Sequence, residues 1–200
     1  VGSEMCIRDR CTYQYKWNAN AGKHDKVENA KLTDWYPGKW RREWMPGGFV
    51  DPNNTGVNYC PLRFADVVLM AAEAYNETGN TPEAWKLLNM VRERAKATPI
   101  TDANYSSLMK APQVYDLPYI RDGDAAGKFR TALYWERGFE LAFEGQRKYD
   151  LLRWGILGDA LKFFQGNMDK TLKGKYVAGD KFVKGQHELF PIPLGELQAN

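Results

Sequence analysis

The twenty residues from Glu136 to Gly155, ERGFELAFEGQRKYDLLRWG, constrain the fold of this chain more than any other stretch, because bulky apolar groups and charges share helical spacing there. Trp135, Phe139, Ala142, Tyr149 and Leu152 read as one apolar stripe, and Glu136, Glu140 and Glu144 follow one turn apart beside it. A column of three carboxylates repels itself unless cations lie in reach. Arg137 is three residues from Glu140, and Arg147 and Lys148 are three and four from Glu144. With Asp150 and Arg153 one turn further on, the set Glu136, Arg137, Glu140, Glu144, Arg147, Asp150 and Arg153 reads as a structural charge network. Exposed pairs of this kind contribute only ~0.2–0.5 kcal/mol each, whereas breaking a desolvated pair costs ~3–5 kcal/mol. Tryptophans at 135 and 154 bracket the column, so it is expected to be partly buried. Gly145 and Gln146 interrupt the stripe, so the helix either kinks there or ends and restarts.

A hydrophobic content of 44% in 200 residues fits a globular chain with an ordinary core. The formal charge is only +3 and the bases are dispersed among acids, which gives no electrostatic case for nucleic acid. Lys39, Arg41 and Arg42 among Trp40 and Trp44 form a short exception. Cys6, Cys11 and Cys60 are odd in number and lack CxxC spacing, so they define neither a zinc site nor a disulfide framework. His24 and His187 have no second ligand nearby in sequence; neither a metal nor a cofactor is expected. The opening string VGSEMCIRDR has no h-region and resembles sequencing-adapter read-through, so residues 1–10 are read as non-native and residues 11–200 as the folded part.

From Tyr13 to Tyr59 the chain is aromatic and punctuated by Gly, Pro and Asn, which predicts extended segments and loops. From Leu62 it changes character. Phe64, Val67, Val68, Ala71, Ala72 and Tyr75 form a helical stripe ending at Gly79; Thr81 and Pro82 then read as N-cap and first helical residue before a second stripe of Ala84, Leu87, Leu88, Val91 and Ala95. An antiparallel helical hairpin over about Leu62 to Ala97 follows. Between Ala65 and Thr98 it fits a degenerate 34-residue tetratricopeptide pattern, with Tyr75, Gly79 and Ala84 at matching positions. Thr101 to Phe129 reads as a long polar connection, Gly158 to Phe164 as a further helix, and Lys173 to Pro193 as a β-hairpin turning at Ala178-Gly179-Asp180. The fold class is therefore mainly α: a tetratricopeptide-like hairpin, further helices, long irregular loops and a small β-hairpin.

Three stretches together resemble one family. RFADVVLMAAEAYNETGN (63 to 80) with LLNMVRERA (87 to 95), the block ending EGQRKYDLLRWG, and LFPIPLGELQAN (189 to 200) are similar, in order and spacing, to the carboxy-terminal half of SusD/RagB-type nutrient-binding lipoproteins. The resemblance covers roughly residues 39 to 200. It implies a helical scaffold of tetratricopeptide-like pairs with a loop-borne ligand site, and makes residues 11–200 the carboxy-terminal part of such a domain. It also implies capture of a glycan without hydrolysis, partnership with a SusC-like TonB-dependent transporter, and a lipid anchor on the outer face of the outer membrane. Neither a lipobox cysteine nor amino-terminal repeat units are found in this sequence.

Two chemistries were weighed against packing. Glu136 with Glu140, or Glu144 with Asp150, could in principle supply a glycosidase acid and base, which must flank a cleft. Carboxylates one turn apart on one helix point the same way, and nearby arginines depress rather than raise their pKa, so no catalytic residue is expected. Sugar binding needs flat aromatic faces beside amides. Trp35, Tyr36 and Trp44 with Asn53 and Asn54 offer both and are the candidate ligand-binding residues, with Trp40 assigned to the core. The alternative is a tetratricopeptide-type protein-interaction scaffold that binds no glycan.

Overall fold

The computed structural model describes residues 10–11, 13–28, 36–39, 56, 58–109, 117, 119–168 and 176–198. The chain divides into two compact units, Val1–Lys110 with Ala132–Arg147, and Ala111–Thr131 with Lys148–Asn200.

In the first unit two short antiparallel ladders precede the helices. Strands β1 (Arg10–Cys11) and β4 (Tyr36–Pro37) pair with Cys11 opposite Tyr36. Strands β2 (Tyr13–Asn18) and β3 (Lys23–Glu28) form a hairpin from Tyr13 opposite Glu28 to Asn18 opposite Lys23. Asn18 builds its turn: Oδ1 accepts from the Asn20 and Ala21 amides at 3.1 and 3.2 Å, and Nδ2 donates to Asp25 at 2.7 Å.

Helices α1 (Phe64–Glu77) and α2 (Thr81–Arg94) pack on each other as the expected hairpin. The turn is closed at Gly79, φ +85°, where the Asn80 amide donates to Tyr75 O at 2.8 Å and the Gly79 amide to Asn76 O at 3.1 Å. Asn80, not Thr81, is the N-cap of α2; its side chain accepts from the Glu83 amide. Thr81 instead donates its hydroxyl to Asn76 Oδ1 at 3.0 Å, bracing the turn from inside. The α2 stripe holds, with Ala84 and Leu88 fully buried and Val91 and Ala95 close to it. The α1 stripe is rotated. Ala65, Asp66, Val68, Leu69, Ala72, Glu73 and Asn76 are buried, whereas Phe64 is 75% exposed. Asp66 is drawn inward by a buried arginine, and the helix turns its face accordingly.

Helix α3 (Tyr105–Leu108) and the first turns of α4 (Ala125–Glu140) occupy the stretch read as a connection, so the helix carrying Glu136 starts inside it, at Ala125. Asn89 holds the chain between α2 and α3 by exchanging two hydrogen bonds with the Ile100 backbone, at 2.9 and 2.7 Å. At the start of α4, Asp124 accepts from the Gly127 amide at 2.7 Å. A Cβ on Gly127 would lie 2.0 Å from Arg121 O, so the approach requires glycine.

The second unit contains α5 (Arg147–Arg153) from Lys148 onward, α6 (Leu157–Gly166), α7 (Ala178–Lys181) and α8 (Leu194–Gln198). The RWG that closes the opening motif ends α5. Gly155 takes φ +70°, the Ile156 amide donates to Leu151 O at 3.0 Å, and Trp154 stacks on Tyr119 with ring centroids 5.2 Å apart. The β-hairpin expected at 178–180 is a helical turn instead. Gly179 sits against α6 so closely that a Cβ would meet Leu161 O at 2.9 Å, and Gln165 grips Asp180 through both its side-chain atoms. The small β-hairpin of the fold lies at β2 and β3; residues 169–175 lie outside the described residues.

Ala84 has no exposed surface in the α1–α2 crossing. Ala84→Arg forces volume and charge into that contact and is expected to cost more than the ~1–3 kcal/mol of ordinary overpacking. A lowered urea midpoint of the intact protein is the check.

Candidate functional site

Residues Phe129, Leu133, Glu136 and Glu140 follow one face of α4, and all four are buried, Glu136 to 2% and Glu140 to 1% exposure. The carboxylates therefore occupy the core face, while Phe139, read as part of the apolar stripe, reaches 36% exposure and Tyr149 60%. A core helix can carry ions inward only if cations meet them there. These cations come from elsewhere in the sequence.

Glu136 binds Arg92 at 2.5 Å, and Arg92 also donates from Nε to Thr98 O at 2.9 Å. Glu140 Oε1 receives Arg94 at 2.5 Å and also the Arg63 guanidinium, leaving Oε2 without a hydrogen-bond partner among the described residues. Glu144 lies beyond the end of α4, in a turn where Phe143 (φ 63°) and Gly145 (φ 80°) both take left-handed backbone. Its two oxygens receive Lys39 at 2.5 Å and Arg63 Nε at 2.7 Å. Arg137 reaches Asp66 at 2.7 Å, at an angle that makes the contact an ion pair rather than a hydrogen bond. Arg147 lies over the Tyr134 ring at 3.9 Å and donates to Tyr134 O at 2.9 Å. In the second unit Arg153 and Asp150 pair at 3.0 Å, one turn apart on α5.

The sequence reading thus found the acids but missed Lys39, Arg63, Arg92 and Arg94 as their partners, and Asp66 as the partner of Arg137. A signal existed for two of them. Neither Arg92 nor Arg94 has an acid three or four residues away, and Arg92 falls on the buried stripe of α2, so it at least had to be answered from another element. The helix ends at Glu140 and restarts at Arg147, the second of the two outcomes that Gly145-Gln146 allowed.

Burial pushes the Glu136 carboxyl above its ordinary value of 4.5, with Arg92 opposing, which corrects the expectation that these acids are only depressed. For Glu144 burial acts the same way but is outweighed by hydrogen bonds from Arg63 and Lys39, so its carboxyl lies below 4.5. Burial would lower Arg63, yet Glu144 and Glu140 together hold it above its ordinary value.

The ligand candidates Trp35, Trp44, Asn53 and Asn54, and the core assignment of Trp40, lie outside the described residues. Tyr36 pairs through its backbone with Cys11, and its side chain lies outside them too. A cleft of about 600 Å³ in the second unit, lined by leucines, Phe182, His187, Ala178, Lys148 and Lys181, carries no amide side chain to meet sugar hydroxyls. Among the described residues no group of three His, Cys, Asp or Glu side chains is placed to hold a metal ion.

Comparison with known proteins places this geometry. The family model described as the SusD family matches residues 3–200. SusD-like protein P25 of Formosa agariphila is 38% identical over 147 residues, covering 74% of this chain and 23% of that protein. SusD-like protein P2 of the same organism is 35% identical over 100 residues, covering 50% and 17%. The crystal structure of a SusD homolog from Bacteroides thetaiotaomicron superposes with a TM-score of 0.68 at 28% identity, covering 98% of this chain and 39% of that one. The chain spans less than a quarter of the curated relatives it matches.

The opposite displacements of Glu136 and Glu144 give opposite pH signatures. The stabilisation from Glu144 is present above about pH 4.5 and lost as pH falls through its lowered folded value; that from Glu136 is present below about 4.5 and lost as pH rises through its raised one. The Tm difference between wild type and Glu144→Gln is expected to shrink on acidification from pH 6, and that for Glu136→Gln to shift toward greater wild-type stability. Arg92→Ala leaves Glu136 buried and uncompensated and is expected to lower unfolding free energy by about 3–5 kcal/mol in urea titrations at pH 7.

Proposed function

The chain belongs to the SusD family, and we propose on that basis that it is the carboxy-terminal part of a non-catalytic glycan-binding protein that passes its ligand to a SusC-like TonB-dependent transporter at the outer face of the outer membrane. The observation that carries this reading is the family match across residues 3–200 together with the shared fold. The charged cluster supports the non-catalytic half. Both Glu144 oxygens are taken by cations, and Glu136 faces Arg92 at 2% exposure, so neither has a free oxygen presented to a sugar. No helix among the described residues is long and apolar enough to cross a membrane.

Trp35, Tyr36 and Trp44 with Asn53 and Asn54 remain the proposed ligand contacts. Two stacked rings at ~0.5–1.5 kcal/mol per ring pair give weak binding, about millimolar or weaker, which suits a ligand that must be released onward. Calorimetry of the full-length protein with candidate polysaccharides is the test. Trp35→Ala and Trp44→Ala are expected to weaken binding without unfolding; wild-type affinity in both would place the contacts elsewhere. Release of shorter sugars by purified protein would overturn the non-catalytic assignment.

A further inference from the structure

The 600 Å³ cleft of the second unit is hydrocarbon below and basic around it. Helix α5 contributes Leu151, α6 contributes Leu157 and Leu161, and α7 contributes Ala178, with Phe182 just past its end. Leu151 and Leu157 are each 8% exposed and form the floor. The three remaining side chains, Lys148, Lys181 and His187, all carry nitrogen, and no acid lines the cleft.

Its walls are set by the fold. Gly179 lies against α6, where a Cβ would be 2.9 Å from Leu161 O, and a Cβ on Gly158 would be 2.7 Å from the Phe182 ring. These two approaches hold the 178–182 segment directly on α6. The turn that follows is closed by the His187 amide, which donates to Val183 O at 3.1 Å, and by the Val183 amide, which donates to His187 Nδ1 at 2.8 Å. Because Nδ1 accepts, the imidazole proton sits on Nε2, and what the ring has left to offer is a donor.

The acids next to these bases in sequence accept from other groups. Asp180 accepts from Gln165 Nε2, and Glu188 accepts from the Gly185 amide at 2.8 Å. Lys148 Nζ lies 3.7 Å from the centre of the Phe190 ring, and among the described residues neither it nor Lys181 is paired with an acid. The volume is in the range of small-molecule sites, whose apolar walls take up the body of a ligand while a few polar groups orient it. Here the polar side chains are donors without an acceptor among them. An anion answers all of them, a hydroxyl gains only a weaker neutral bond, and a cation is repelled.

We propose that this cleft binds a soluble amphipathic organic anion, an apolar chain or ring that ends in a carboxylate. The apolar part lies against the leucines and Phe182, and the carboxylate is held by the basic side chains of the lining. The proposal stands apart from the glycan reading and survives its failure.

Calorimetry of the full-length protein at pH 7 compares octanoate, octan-1-ol and octyltrimethylammonium, which share one hydrocarbon chain and differ in charge. Octanoate is expected to bind about three- to tenfold more tightly than octan-1-ol, and octyltrimethylammonium more weakly than either. A chain carrying both Lys148→Met and Lys181→Met keeps the apolar stems; it is expected to lose the preference for octanoate while its affinity for octan-1-ol stays within about twofold. Ala178→Trp, at an exposed position, fills the cleft and is expected to weaken octanoate and octan-1-ol alike by about tenfold or more. Thermal unfolding confirms that each variant is folded. Should Ala178→Trp not fold, hydrogen exchange of the wild type is read with and without octanoate, and slower exchange is expected in residues 178–187. The proposal is overturned if octanoate does not bind the full-length protein, if it binds no more tightly than octan-1-ol, if the double methionine variant keeps the preference, or if neither Ala178→Trp nor the exchange pattern places the ligand in the cleft.

Discussion

Buried carboxylates on α4 set the terms for the first unit. An ionised group taken out of water destabilises the fold by several kcal/mol unless a counter-ion and hydrogen bonds meet it. Glu136 and Glu140 face arginines from α2 and from the entrance to α1, which offset that cost in part, and Glu144, just past the helix end, adds Lys39 from beside β4. Four sequence-distant pieces are thereby specified against one another. A core of leucines and alanines would bring the same helices together, but apolar contact tolerates sliding and rotation more readily than ion pairs with fixed partners do. The inward turn of Asp66 toward Arg137 shows the effect locally, since it exposes Phe64 while burying a charge.

The two Schellman-type ends that close α1 and α5 show where local chemistry is enough. Gly79 and Gly155 sit where a left-handed residue is needed, and the sequence announces both. Lys96 does the same job for α2 at φ 55°, with the Ala97 amide bonded to Arg92 O at 2.8 Å, but carries no glycine to announce it. Carboxyl-terminal caps are thus legible when glycine makes them and hidden when the tertiary structure imposes them on another residue.

The same division governs how much of the whole was readable. Helical spacing and caps located the α1–α2 hairpin, and the EGQRKYDLLRWG element pointed to the family. Spacing failed for the partners of the charges because i,i+3 and i,i+4 arithmetic sees only one helix, while Arg92, Arg94 and Arg63 cross between elements. The expected burial of the carboxylate column holds, but the stripe read beside it does not, since Phe139 and Tyr149 stay exposed. The misplaced β-hairpin has a third cause: Ala178-Gly179-Asp180 is a good turn sequence, and here glycine serves close approach to α6 rather than a reversal. The aromatic candidates before Tyr59 lie outside the described residues, so they stay with the proposal.

Heat acts on ions and on hydrocarbon in different ways. The hydration of charged groups carries a strongly negative entropy, so the penalty for keeping Glu136 and Arg92 away from water shrinks as temperature rises, while the gain from apolar burial levels off. A contact surface organised around desolvated pairs therefore loses relative strength more slowly on warming than one built from alanine and leucine alone. Within the first unit, the α2–α4 junction held by Arg92 and Glu136 is such a surface.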